Sequence, residues 1–311
     1  MKCSYHPGYQ VPLTPNHPFP IGKFPLLKEQ LLTEGILSQG DILEPEPLDV
    51  DTLALVHTRE YLDKLAKTGL SAAEQRRLGL PWSESLWLRS RLASGGTLLA
   101  ARTALVEGLA GNLAGGTHHA FADHGEGFCV LNDVAVAIAK LRAEGLIRRA
   151  AIIDLDVHQG NGTAAIFEAD ADVFTFSMHG ERNYPLSKMR SKLDVGLPDG
   201  VDDARYLATL LANLPAVLDA ARPHLAFYLA GVDVARGDRY GKLALTEEGI
   251  RRRDRMVIEA VRSRGIPLVI VLAGGYAESR ARTAELHAHA FREAVAYERR
   301  LLRVGRFTPP F

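Results

Sequence analysis

Residues 150–163, AAIIDLDVHQGNGT, limit what this chain can fold into more than any other stretch. The apolar run Ala151-Ile152-Ile153 followed by turn residues is the pattern of a strand buried on both faces of a parallel sheet. Acid and imidazole then fall on alternating positions, Asp154, Asp156 and His158. Strand side chains alternate with period 2, so extended backbone carries all three to one side. Gly160, Asn161 and Gly162 turn the chain into a helix. Open α/β sheets bind ligands beyond the carboxyl ends of their strands. Carboxylates and imidazole together are ordinary divalent-metal ligands. A capped strand end, its acids bonded only to loop amides, would explain one aspartate. It does not explain D-x-D-x-H followed by G-N-G.

The rest of the chain supplies the sheet around that strand. Further apolar strands are predicted at residues 173–178, 225–230 and 268–272, and a short edge strand at residues 1–5. Helices are predicted over residues 26–34, 58–67, 83–108, 134–144, 163–168 and 203–221, with Pro215 as a kink point. Another follows the cap Thr246, and the tail from Arg280 is helical. Asn132 is the cap for residues 134–144, and Gly95-Gly96 marks a close-packing point. Residues 48–56 alternate apolar and polar. The segment from Pro7 to Pro25 holds six prolines, Pro15 among them, and reads as an irregular loop. Strands alternating with helices, with no linker or repeat, predict one α/β domain over residues 1–311. Its sheet is mostly parallel, so the segments following each strand collect at one edge. These segments are His118-His119, Asp156 to His158, Met178-His179, Gly231 to Asp233 and Gly274 to Tyr276.

Charge and cysteine content remove other classes. Lys+Arg and Asp+Glu both number 37, so no basic field favours nucleic acid. No apolar run is long enough for a membrane span, and MKCSYHPGYQ lacks the apolar core of a signal peptide. Two cysteines far apart, Cys3 and Cys129, fit a reducing, cytoplasmic setting rather than a disulfide framework.

Asp156, His158 and Asp233 give two carboxylates and one imidazole, the three protein ligands of a catalytic metal with a position left open. That set is formally neutral with a divalent ion. Its water is therefore less acidified than under three histidines, and a nearby base is needed. Fe(II) or Co(II) would suit the same ligands as zinc. His118 and His119, on a turn after Gly115-Gly116, are candidates for acid and base. Asp154 and Asn161 are free to accept from their ring N–H groups, and a carboxylate raises an imidazole pKa more than a neutral amide does. Phe128 and Tyr184 are read either as core or as channel wall. Tyr276, after two glycines at a strand end, could donate its O–H to an oxyanion.

The motifs GGTHHA, GFCVLND, IDLDVHQGNGT, AGVDVARGDRYGKLALT and LAGGY, in this order over nearly the whole chain, resemble the zinc-dependent histone deacetylases. Asn161 in HQGNG, HPF at His17, NYP at Tyr184 and GDRYGKLALT are most similar to the class IV branch. The resemblance implies an arginase-like three-layer α/β fold with helices on both sheet faces. It implies zinc on Asp156, His158 and Asp233. His119 would be the general acid/base paired with Asn161, with His118 held by Asp154 and Tyr276 polarising the carbonyl. Gly127, through its carbonyl, Phe128 and Tyr184 would line the acyl-lysine channel. A structural K+ or Na+ would sit on backbone oxygens of Asp154, Asp156, His158 and Met178 and on the Ser177 hydroxyl. Asn161 departs from the class I pattern, which carries Asp there. The branch resemblance favours longer acyl groups.

The expected reaction is hydrolysis of an N6-acyl-lysine amide in a protein or peptide. Small acylated amines such as acetylpolyamines are the alternative substrates on the same site. A binuclear ureohydrolase would need a second acid near Asp233, where Val234 and Ala235 stand instead. A non-catalytic acyl-ligand sensor would be expected to lack a ligand or Tyr276. No G-x-S-x-G elbow favours a nucleophilic hydrolase.

Overall fold

The computed structural model describes residues 1–14 and 17–303. Pro15 and residues 304–311 of the expected helical tail lie outside this range. Eight strands form one sheet in the order β2-β1-β3-β8-β7-β4-β5-β6. They are β1 (Lys2–Ser4), β2 (Ile42–Leu43), β3 (Leu109–Asn112), β4 (Ala150–Asp154), β5 (Val173–Gly180), β6 (Leu193–Leu197), β7 (Leu225–Leu229) and β8 (Leu268–Val271). Every pairing is parallel, so the sheet is wholly rather than mostly so.

Among the described residues, ten α-helices surround it: α1 (Lys23–Thr33), α2 (Val50–Leu53), α3 (Arg59–Asp63), α4 (Ala72–Leu78), α5 (Glu84–Glu107), α6 (Asp133–Ala143), α7 (Asn161–Phe167), α8 (Asp203–Ala221), α9 (Glu247–Arg262) and α10 (Arg280–Arg303). The strand period sorts side chains between two cores. Ala151, Ile153, Tyr228 and Ile270 face one, with Leu210 of α8, Ile258 of α9 and Phe291 of α10. Ile152, Phe227 and Val269 face the other, with Ala101 of α5 and Ile138 of α6. Both faces are therefore covered, as a parallel sheet requires.

Caps fix the helix starts. Asn132 accepts from Ala135 N–H, Ser83 from Leu86 N–H and Thr246 from Gly249 N–H. At Gly96 of α5 a Cβ would come within 2.0 Å of the Tyr9 hydroxyl, so the helix lies directly against the N-terminal segment. α8 runs through Pro215. The N-terminal strand is not an edge: β2 covers it, with Cys3 opposite Ile42. Within the alternating stretch at residues 48–56, Val50–Leu53 form the short helix α2, capped by Asp49. Among its described residues, the segment from Pro7 to Pro25 is irregular except for a 3-10 turn at Pro7–Tyr9 and the start of α1.

Candidate metal centre and active site

Strand ends place the site. β4 stops at Asp154, and the chain then bends through Leu155 to Gly160 before α7 begins at Asn161. Asp233 follows β7, the neighbour of β4 on one side; Ser177 and Met178 lie on β5, the neighbour on the other. Gly274 and Tyr276 follow β8, and the loop holding His118 and His119 follows β3.

Asp156, His158 and Asp233 converge, their ligand atoms all within 4.8 Å of one another, and all three are buried. His158 Nδ1 lies 2.9 Å from Asp156 Oδ1 and 3.2 Å from Asp233 Oδ2. Among the described residues, no donor is aligned on Asp233 Oδ2 for a hydrogen bond, although the atom is fully buried. Its other oxygen accepts from Val157 N–H at 2.9 Å. Burial pulls the His158 ring down, but its contacts with Asp156 and Asp233 outweigh that and lift it to about 10. Two buried carboxylates thus demand a cation between them, either a proton or a metal ion. Oxygen, oxygen and imidazole nitrogen at this spacing fit a divalent ion with an open position.

Beside this centre the two histidines are tuned apart. His118 Nδ1 donates to Asp154 Oδ2 at 2.7 Å, and His119 Nδ1 donates to Asn161 Oδ1 at 2.7 Å. Burial lowers His118, but Asp154 and Asp156 overcome it and raise the ring to about 9. Burial also lowers His119, and the neighbouring His118 and His158 push it further, well below its ordinary value. One imidazole is built to hold a proton and the other to stay neutral. The Tyr276 phenol is held well above its usual range by burial and then by the charges of Asp233 and Asp156. It therefore remains a proton donor.

Access runs along a channel of about 310 Å³ lined by Leu78, Gly79, Phe128, Tyr184, Tyr240 and Tyr276, ending at His119 and His158. A smaller inner cavity of about 40 Å³ continues past His118 and His119 to Lys23 and Arg89. Phe128 takes a left-handed φ of 68° and packs 6.1 Å from the Tyr276 ring, centroid to centroid. Tyr184 stands edge-on to His119 at 5.0 Å.

Three families of residue escaped the sequence reading. Asp238 accepts from the backbone N–H of Tyr276, Tyr240 and Gly241, holding the tyrosine loop. It stands in GDRYGK, a segment that flagged the region without flagging the residue. Glu126 binds Asn161 and Tyr184 from the other side. Lys23 and Arg89 are buried cations at the inner cavity, and nothing in their sequence neighbourhoods marks them.

The histone deacetylase domain model matches residues 17–292. The chain belongs to the histone deacetylase family. It is 32% identical to histone deacetylase 2 of Arabidopsis thaliana over 275 residues, covering 86% of this chain and 71% of that one. An uncharacterised protein of Picosynechococcus is 48% identical over 88% of this chain and 92% of its own length. The crystal structure of the HDA15 HD domain shares the fold, with a TM-score of 0.78 at 24% identity over 94% of this chain and 87% of that one. The enzyme is a hydrolase acting on amide bonds, on the arginase-like fold of this family. The family is generally metal-dependent, and Asp156, His158 and Asp233 form a buried group able to bind a metal. Among the described residues, no helix is long and apolar enough to cross a membrane.

Proposed function

We propose that this histone deacetylase family member removes the acyl group from N6-acyl-lysine by adding water to the amide carbonyl. One observation carries the reading: Asp156, His158 and Asp233 meet the neutral His119 where the channel narrows into the inner cavity. A divalent ion on those three residues, zinc by family resemblance and Fe(II) by ligand chemistry, would supply an acidified water and polarise the carbonyl. The remaining work belongs to the chain. His119 takes a proton through its free Nε2 and returns it to the leaving amine. His118, kept protonated by Asp154, balances the charge that builds beside it. Tyr276 donates its phenol hydrogen to the oxyanion. Phe128 and Tyr184 flank the lysine stem, and the Gly127 carbonyl accepts from the substrate amide. The products are a carboxylate and a free amine.

A lysine stem in the channel directs its acyl tail into the inner cavity. About 40 Å³ there is roughly three times the 10–15 Å³ that a single water needs, room for a short acyl group. We therefore favour acetyl or another short acyl group over the long chains that the class IV resemblance favours. Among the described residues that line the channel, Arg77 is the only Lys, Arg, Asp or Glu. A polyamine cation meets no carboxylate there, which ranks acetylpolyamines below acyl-lysine. Besides Asp156, the acid whose charge reaches Asp233 is Asp238 of the same loop, and its carboxylate is engaged by three backbone amides, so a single divalent ion is favoured. A sensor role is ranked below catalysis because ligands, histidines and Tyr276 are all in place.

The K+ or Na+ site belongs to the same proposal. Asp154 and Ser177 are register partners on β4 and β5, which supports this reading for two of the five residues. We take residues 1–311 as one catalytic domain acting in the cytoplasm, in keeping with two free, buried cysteines. A panel of lysine peptides carrying acetyl to myristoyl groups, beside acetylpolyamines, tests the reading. Acetyl-lysine peptide should be turned over fastest. Hydrolysis confined to acetylpolyamines would replace the substrate, and no hydrolysis with any divalent ion would end the proposal.

A further inference from the structure

Glu126 stands at the base of a tight hairpin turn. Its N–H donates to Cys129 O at 3.1 Å, and Cys129 N–H donates back to Glu126 O at 2.8 Å. The two residues between, Gly127 and Phe128, both have positive φ, 54° and 68°. Such a turn fixes where the flanking side chains point. The Glu126 carboxylate reaches Asn161, whose Nδ2 donates to Oε1 at 2.9 Å, and Tyr184, whose hydroxyl donates to the same oxygen at 2.5 Å. Its other oxygen lies 3.9 Å from His124 Nε2.

An asparagine amide presents oxygen on one side and NH₂ on the other, and a half-turn exchanges them with little change of shape. Here the choice has a chemical consequence. Asn161 Oδ1 lies 2.7 Å from His119 Nδ1. With oxygen facing the ring, Nδ1 carries the proton and Nε2 keeps its lone pair. With NH₂ facing the ring, Nδ1 would have to accept, and the proton would sit on Nε2. His119 could then take no proton from water. Asn161 by itself does not choose between these states. A carboxylate only accepts. In the turned state, Asn161 Oδ1 would face Glu126 Oε1 across the same gap with no hydrogen between them.

We infer that Glu126 is a positioning residue that fixes the Asn161 amide and, through it, the tautomer of His119. The inference rests on the reading of His119 as general base. It also accounts for the asparagine. An aspartate at position 161 has no amide to orient. With asparagine there, the negative charge moves one residue outward, to Glu126. Because Tyr184 shares the same oxygen, the channel wall and the base are held from one point.

Exchanging the two groups isosterically tests this. N161D sets two carboxylates against each other, and kcat should fall by about 10- to 100-fold, as for loss of other outer-layer partners. Adding E126Q should recover about tenfold or more of that loss, because the amide and carboxylate have traded places. E126Q alone should cost less than N161D. KM should hold near the wild-type value, since Tyr184 keeps an acceptor oxygen. A second readout needs no turnover. The ¹⁵N shifts of His119, assigned with H119A, should show the proton on Nδ1 in the wild type and a mixture in E126Q. If E126Q leaves the N161D deficit unchanged or deepens it, or if wild-type His119 carries its proton on Nε2, Glu126 does not set the tautomer. A wild type that hydrolyses no acyl-lysine would defeat the hydrolase reading instead, and the ¹⁵N shifts would still decide the role of Glu126.

Discussion

Adding one methyl group at Gly274 perturbs the proposed metal centre without removing a ligand. Gly274 N–H donates to Asp156 Oδ2 at 2.6 Å. A Cβ at this position would stand 1.9 Å from Asp233 Oδ2 and 2.6 Å from Asp156 Oδ2. Real Cβ atoms essentially never approach within 3.0 Å of such atoms. Asp233 Oδ2 must therefore retreat by about 1 Å, several times the roughly 0.2 Å that a metal–ligand distance tolerates. The carboxylate cannot swing clear: Asp233 is wholly buried, and its other oxygen is tied to Val157 N–H. Gly274 is not left-handed, so alanine suits its backbone and the clash is the whole perturbation. Overpacking of this kind costs about 1–3 kcal/mol in stability, which a protein of this size can absorb. Gly274→Ala should keep its far-UV circular dichroism while its affinity for zinc, measured by competition with a fluorescent chelator, falls by about 10- to 100-fold. Wild-type affinity in Gly274→Ala would refute the placement of Asp233 Oδ2 in the ligand set.

Tyr276→Phe keeps the ring and deletes the donor, so kcat should fall by about 10²- to 10³-fold with metal content and KM little changed; near-normal kcat would leave Tyr276 as a packing residue. His57 is buried with Nε2 accepting from Asn132 N–H, and burial pulls its ring down to about 4. Because the folded state resists protonation, stability is complete above about pH 6.5 and is lost as pH falls toward 4, by about 3 kcal/mol from this group. Urea melts across that window should show a steeper acid loss in the wild type than in His57→Gln, and identical slopes would clear His57 of the effect. Among acyl-lysine peptides, kcat/KM should drop from acetyl to octanoyl and myristoyl; a rise instead would mean that the inner cavity opens to admit the chain. Metal binding should release a proton from His158, visible as buffer-dependent heat in calorimetry, whereas heats independent of the buffer would mean that the ring enters the site already neutral.

Much of this site lies within short stretches of sequence. Asp156 and His158 are two residues apart, and Asp233 and Tyr276 follow apolar strands whose parallel pairing brings their ends together. The sheet was legible for the same reason: β4, β7 and β8 are apolar runs with turn residues behind them. The two-residue strand β2 was not, so β1, legible as a short strand, read as an edge although β2 covers it. Residues 48–56 carried a strand-like alternation, but within them the Asp49 cap starts the short helix Val50–Leu53. The histidine partners were legible because Asp154 and Asn161 share a motif with the proposed ligands Asp156 and His158. Glu126, Asp238 and Lys23 were hidden because their roles depend on distant partners. Glu126 meets Tyr184 58 residues away, and the Lys23 ammonium donates to Ala273 O across 250.

Stoichiometric metal titration followed by turnover tests the account most directly. Protein stripped by chelation would receive increasing zinc, or Fe(II) under anaerobic conditions, while hydrolysis of an acetyl-lysine peptide is followed. Activity should rise linearly and stop at one ion per chain, and Asp233→Ala should stay inactive at that point. Activity that needs a second ion, or that is undiminished in Asp233→Ala or in the stripped protein, would contradict a single-metal site on Asp156, His158 and Asp233.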